Sequence, residues 1–139
     1  MKVLIDTNII IDVIGKRQPH YESSAAFLKL CPAQVTGFVA ASQTTDIFYL
    51  FRKEGLDAET AKKIIQKLID NLKVLDVTSA DVSNALASEM SDYEDSLLAF
   101  GGKRHKAKYI ITRNEKDFKM SPVPAISPQK FLNLFFPIY

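Results

Sequence analysis

Short apolar runs, each followed by a stretch of helical period, alternate along the whole chain, and this alternation restricts the fold more than any other feature. Val3, Leu4 and Ile5 form the first run, and strand one is predicted over 2–6. Runs at 34–40, 72–77, 109–112 and 124–126 read as four more strands, the last short and at an edge. Amphipathic segments lie between them. They span 8–14, closed by Gly15; 21–31, stopped by Pro32; a helix capped by Ser42 or Thr44 and running to Lys53 or Glu54; 58–71; a helix capped by Ser79 that fades near Met90; and 96–106. Pro128 opens a last helix that packs Phe131, Leu132 and Phe135. Such alternation requires right-handed crossovers, so the predicted fold is α/β: a three-layer α/β/α sandwich around a mostly parallel central sheet. No linker, repeat or low-complexity stretch divides the 139 residues, and one domain over 1–139 is expected.

Composition excludes several classes. An apolar fraction of 47% with 24% charged residues is that of a globular protein, not a disordered one. The longest apolar runs fall far short of the roughly 20 residues that cross a bilayer. Met1 and Lys2 lead into three apolar residues before Asp6, too few for a signal peptide, so a cytoplasmic protein with no membrane partner is expected. The single cysteine excludes an intramolecular disulfide and a thiolate metal cage, and Cys31, behind Leu28 and Leu30, is expected to be buried and inert. His20 and His105 stand too far apart in sequence to suggest a zinc site.

Asp6, Thr7 and Asn8 follow the first apolar run directly. One such Asp serves equally as a helix cap. Other carboxylates fall at equivalent places, however: Asp46 shortly after strand two, Asp95 entering its helix, and Asn114 with Asp117 after strand four. In a doubly wound sheet these positions share one edge, the edge at which such folds bind ligands. Carboxylates gathered there would repel one another unless protonated or neutralised by cations. Mg²⁺ and Mn²⁺ take oxygen ligands from a few carboxylates, water and substrate phosphate, and the chemistry such a set serves is metal-dependent phosphodiester hydrolysis. Asp12 is read as a solvated or capping carboxylate, and Glu54, Asp57 and Glu59 as surface charge. Asp92 and Glu94 either face substrate or stay solvated.

Net charge is only +2, but Lys103, Arg104, His105, Lys106 and Lys108 cluster just after Asp92, Glu94 and Asp95. Two readings stand: a basic rim beside an acidic centre, suited to an anionic substrate, or cations at a helix C-terminus, which the macrodipole favours. Gly101 and Gly102 weaken their helix by about 1 kcal/mol each relative to Ala, for close packing or for a phosphate approach. Phe131, Phe135, Phe136, Ile138 and Tyr139 make an apolar tail that either completes the core or forms a subunit contact.

With these residues assembled, the chain resembles the PIN-domain proteins, the ribonuclease family that includes the VapC-type toxins of prokaryotic toxin–antitoxin pairs. Three segments carry the resemblance: Asp6-Thr7-Asn8 with Ile9 to Ile11 behind it, the Glu94-Asp95 helix start, and Tyr109 to Phe118, a strand followed by Thr-Arg-Asn and then Asp-Phe. The resemblance implies a Rossmann-like sandwich, an acidic cluster binding Mg²⁺ or Mn²⁺, RNA cleavage, an antitoxin partner and a homodimer. Position by position, Asp6 matches the first family acid, Asp46 stands where the second, usually Glu, is expected, and Asp95 matches the third. Asn114 occupies the fourth acidic position, and Asp117, three residues on, is the alternative source of its charge. The expected catalytic set is Asp6, Asp46, Asp95 and Asp117, with Asp6, Asp95, Asp117 and Asn114 around the metal. Thr7, Asn8 and Thr112 are expected to hold the first carboxylate. Lys103, Arg104, Lys106 and Arg113 are expected to contact phosphates. The competing reading, kept open by Asp46 and Asn114, is a PIN-like module that binds RNA or protein with a degraded metal site. A flavodoxin- or phosphatase-like protein is disfavoured, because strand one lacks a Gly-rich phosphate turn.

Overall fold

The computed structural model describes residues 1–137; Ile138 and Tyr139 of the apolar tail lie outside the described residues. Five strands form one all-parallel sheet: β1 (Lys2–Ile5), β2 (Thr36–Ala40), β3 (Lys73–Leu75), β4 (Tyr109–Ile111) and β5 (Ala125–Ile126). Their order is β3-β2-β1-β4-β5. The helices are α1 (Thr7–Ile14), α2 (Tyr21–Leu28), α3 (Ala41–Lys53), α4 (Ala58–Asn71), α5 (Ser79–Ala87), α6 (Tyr93–Arg104) and α7 (Pro128–Phe135), with a single 3₁₀ turn at Glu115–Phe118. The chain runs outward from β1 through β2 to β3, then crosses back to place β4 on the other side of β1. The crevice outside the carboxyl ends of β1 and β4 is therefore the topological switch point.

Period-two alternation along β1 divides the core. Val3 and Ile5 face a cluster with Ile9, Phe27, Ile47, Ala61 and Phe131, which puts α1, α2, α3, α4 and α7 on one face. Leu4 points the other way, into Phe38, Leu75, Leu98, Ala99 and Phe118, where α6 lies on the sheet with α5 packed upon it. The Gly101–Gly102 pair belongs to this second layer. A Cβ on Gly102 would stand 3.0 Å from Leu4 Cδ2, and one on Gly101 would stand 3.2 Å from Leu75 Cδ1. Close packing of α6 on β1 and β3 thus accounts for both glycines. Cys31 is buried, and burial pushes its thiol up to about 11, as an inert core cysteine requires.

Several predicted boundaries move, each for a local reason. Strand one ends at Ile5, because Asp6 already accepts from the Thr7 N–H as the cap of α1. The third helix needs neither Ser42 nor Thr44 as its cap: it begins at Ala41, where the buried Gln43 side chain turns back to accept from the Ala40 N–H at 2.6 Å. Thr78, not Ser79, caps α5 in a reciprocal box with Asp81, and the helix ends at Ala87. The sixth helix starts at Tyr93, three residues before the predicted Ser96, because Asp92 accepts from the Asp95 N–H at 2.9 Å. Asp57, read as surface charge, caps α4 through the Thr60 N–H. At the tail, Phe131 is fully buried and Phe136 packs against the core, whereas Leu134 and Phe135 stay exposed. No helix among the described residues is long and apolar enough to cross a membrane.

Candidate active site

The backbone brings the ends of β1 and β4 together. The Asp6 N–H donates to the Ile111 carbonyl at 2.9 Å, so the first carboxylate leaves β1 beside Thr112, which ends β4. Thr112 is fully buried, and its Oγ1 donates to Asp6 Oδ2 at 2.8 Å while accepting from the Asn114 N–H at 3.0 Å. Asn8 Nδ2 donates to the same Asp6 oxygen at 3.2 Å, and the Thr7 N–H donates to Asp6 Oδ1 at 2.8 Å. Gln43 reaches across from α3, donating to the Ile5 carbonyl at 2.8 Å and to Thr7 Oγ1 at 3.1 Å. Asp6 is thus held by donors from its own helix and from β4, in one orientation. Asn8 Oδ1 is buried in this network without a hydrogen-bond partner.

The other acids converge on it. Burial raises the Asp6 carboxyl above its ordinary range against the Thr112 and Thr7 hydrogen bonds and the Arg113 charge, with Asp117 adding to the rise. Asp95 is pushed up to about 7, first by burial and then by the charges of Asp92, Asp6, Asp117 and Glu94. Glu94 is raised mainly by Asp46, then by burial, Asp92 and Asp6. Asp6 and Asp95 thus feel each other and Asp117, and Glu94 feels Asp46 on α3. A cleft of about 550 Å³ opens there, floored by Asp6 and Gln43 and walled by Asp46 on one side and by Glu94 and Asp95 on the other. Its acids come from the end of β1, from α3 and from α6, gathered at the switch point of the sheet.

Of the two residues considered for the fourth acidic position, Asp117 acts on Asp6 and Asp95 through its charge. Asn114 is exposed and joins the network through its backbone N–H, its side chain making no capping bond. Among the described residues no three His, Cys, Asp or Glu side chains stand close enough together to hold an ion unaided.

The basic residues are placed differently from the expected rim. Lys103 and Arg104 end α6, roughly 13 Å along the helix axis from Asp95. Arg104 is committed to Asp81 and Asp76, at 3.0 Å each, which ties α6 to α5 and to the end of β3. Lys106 follows in the turn that brings the Lys108 N–H to the Lys2 carbonyl, at the edge where β1 begins. The helix-end reading of this cluster is the one the fold supports. Arg113 alone of the four stands at the acidic end, close enough to lower Asp6.

Sequence reasoning misjudged Asp12, left Glu94 open and missed Gln43. Asp12 is neither solvated nor a cap: it is fully buried one turn and a half after Asp6 and holds Arg113 through its Nε and Nη2 groups. Only its place on the apolar face of α1, between Ile11 and Val13, hinted at burial. Glu94 enters the cleft because α6 starts early. Gln43, on no candidate list, ties the start of α3 to the end of β1; a buried amide leaves no charge pattern in sequence.

Residues 2–116 match the family model described as the PIN domain. The chain belongs to the PIN-domain family. It is similar to Ribonuclease VapC1 of Aquifex aeolicus (strain VF5), with 23% identity over 136 residues spanning 94% of this chain and 92% of that protein. The PIN fold recurs in VapBC2 from Rickettsia felis, solved bound to a promoter DNA fragment, with a TM-score of 0.73, 19% identity, and coverage of 91% of this chain and 98% of that one. It recurs again in VapC20 of Mycobacterium tuberculosis, a sarcin–ricin-loop-cleaving toxin, with a TM-score of 0.66, 11% identity, and coverage of 88% and 98%. The PIN-domain match takes in β1, α3, α6 and β4, and hence Asp6, Asp46, Glu94 and Asp95, and ends one residue short of Asp117.

Proposed function

We propose that this PIN-domain protein is an endoribonuclease that hydrolyses RNA phosphodiester bonds with Mg²⁺ or Mn²⁺, and that it is the toxin of a toxin–antitoxin pair. The observation that carries the reading is the convergence of Asp6, Asp46, Glu94 and Asp95 on one cleft at the switch point of the sheet, with Asp117 near enough for its charge to act on Asp6 and Asp95. Similarity to a VapC ribonuclease along nearly the whole chain supports the reaction, and likeness to toxins solved with their antitoxins supports the partner. The antitoxin is a separate protein, and RNA is the substrate.

The donor set fits a hard divalent cation. Every candidate ligand is an oxygen, Asp6 and Asp95 are raised first by burial and further by neighbouring acids, so that a cation would relieve both, and magnesium is commonly held by one or two carboxylates with water and substrate phosphate completing the shell. Asp6 and Asp95 are the proposed principal ligands, with Asp117 and Asn114 beside them. Such an ion supplies Lewis acidity to the scissile phosphate and lowers the pKa of water at the site. The chain itself orients: Thr112, Asn8 and Thr7 fix the Asp6 carboxylate, Gln43 holds α3 against β1, and Arg113, held by Asp12, lowers the Asp6 carboxyl.

RNA cleavage with added Mg²⁺ or Mn²⁺ is the direct test. EDTA should abolish it, and Asp6→Asn or Asp95→Asn should remove it while leaving the circular-dichroism spectrum and melting transition of a folded protein. An Asp6→Asn protein that cleaves as well as wild type would refute the assignment. Calorimetric titration with Mn²⁺ separates the alternative: no binding, even with RNA present, would leave a binding module.

A further inference from the structure

The cleft that holds the acids contains no lysine or arginine on its walls, yet its proposed substrate is a polyanion. A bound ion would hold the scissile phosphate, but the flanking nucleotides meet no cation on these walls. Two aromatic side chains stand at the cleft in positions to contact those nucleotides. Tyr49 lies on α3 three residues after Asp46, and so on the same face of that helix. Tyr93 opens α6, two residues before Asp95. Both line the cleft, one from α3 and the other from α6.

Their exposure is unusual for this chain. Tyr49 is 65% and Tyr93 44% exposed, whereas Tyr21 and Tyr109, the other described tyrosines, are half-buried. Neither ring joins the aromatic cluster around Phe131, and neither phenol is hydrogen-bonded within the described structure. A single exposed aromatic would need no explanation. Two lining one acidic cleft from different helices, together with the half-buried Leu97, form a surface for flat apolar ligands.

We propose that Tyr49 and Tyr93 are a base-stacking subsite: unpaired nucleobases on either side of the scissile phosphate stack on the two rings. The inference rests on the ribonuclease reading and deepens it by naming how substrate is held. Duplex bases are already stacked and cannot occupy such a site, whereas splayed bases of loops and single strands can. Stacking on an aromatic side chain is tolerant of sequence and is worth about 1–3 kcal/mol per base on alanine substitution, which corresponds to roughly five- to 150-fold in affinity.

The test compares binding of short oligoadenylate with binding of the same oligomer carrying abasic nucleotides, using Asp6→Asn protein so that RNA stays intact. Tyr49→Ala and Tyr93→Ala are each expected to weaken oligoadenylate binding about tenfold, whereas Tyr49→Phe and Tyr93→Phe bind as the parent does. Abasic oligomer should bind the parent weakly and the alanine variants no more weakly still, because the stacking partner is already gone. The slope of affinity against salt should be the same in all of them, since no phosphate contact is removed. Alanine variants that bind oligoadenylate like the parent would overturn the proposal, as would wild-type protein that cleaves duplex RNA as fast as single strands. Unchanged RNA binding with an altered sedimentation profile would also overturn it, making the rings a protein contact. Wild-type protein that cleaves no RNA yet discriminates bases from abasic sites would sink the nuclease reading and leave the stacking site standing.

Discussion

Two residues that carry no proposed metal contact decide whether the acidic end of this molecule is ordered. Thr112 completes the shell of Asp6 and is itself fully satisfied, so Thr112→Val removes one hydrogen bond to a carboxylate and strands the Asn114 N–H. Hydrogen bonds to charged groups are worth about 1.5–3 kcal/mol. RNA cleavage by Thr112→Val should fall at least tenfold, measured as kcat, while the chain remains folded. Asp12 is a fully buried carboxylate whose only charged partner among the described residues is Arg113. Removing one partner of a buried pair strands the other charge and costs about 3–5 kcal/mol. Urea denaturation should show a loss of that order for Arg113→Met, with much of it recovered when Asp12→Leu is added. A neutral Arg113→Met would mean that the pair is not closed in solution.

At the scale of elements, α6 does two things at once. Its first turn presents Glu94 and Asp95 to the cleft, and its last turn lies so close to β1 and β3 that a Cβ on Gly101 or Gly102 would press on Leu75 or Leu4. Helix propensity alone predicts that Gly102→Ala stabilises by about 1 kcal/mol. The 3.0 Å approach of its Cβ to Leu4 Cδ2 opposes that, because overpacking a core position costs about 1–3 kcal/mol. Gly102→Ala should therefore lower stability by about 1 kcal/mol in chemical denaturation. A gain would show that α6 sits further from the sheet. A start at Ser96 is three residues late, because taking Asp92 as solvated or substrate-facing charge overlooks its capping role. Recognised as a cap, with its side chain on the Asp95 N–H, it moves the helix back and carries Glu94 into the site.

For the whole molecule, the gathered acids set a conflict between folding and ionisation. Asp95 rises to about 7, and Asp6 and Glu94 rise with it. A carboxyl raised on folding contributes stability that is fully present below its unfolded value and is lost as pH climbs through its folded one. Without divalent ions the melting temperature should thus fall between about pH 4 and about pH 7, as these groups give up their protons. Mg²⁺ or Mn²⁺ should restore it, and more strongly at the upper end of that window, where protons no longer compete. Calorimetric scans in EDTA and in excess Mn²⁺ across the window would measure both effects. A melting temperature indifferent to Mn²⁺ at neutral pH would argue against ion binding by the free protein.

The order of strands and helices, the parallel sheet and the edge at which Asp6, Asp46, Asp95 and Asp117 fall were all legible in the chain, because apolar periodicity and strand-end chemistry are local properties. The Asp6-Thr7-Asn8 and Thr112-Arg113-Asn114 segments were legible for the same reason. Tertiary structure alone decided that Asp12 is buried beneath Arg113, that Gln43 ties α3 to β1, that Arg104 is spent on Asp76 and Asp81, and that two glycines serve packing. Each of these depends on which side chains meet across a sheet or between helices distant in sequence. Such meetings are fixed by how the layers close together, and no spacing along the chain records them.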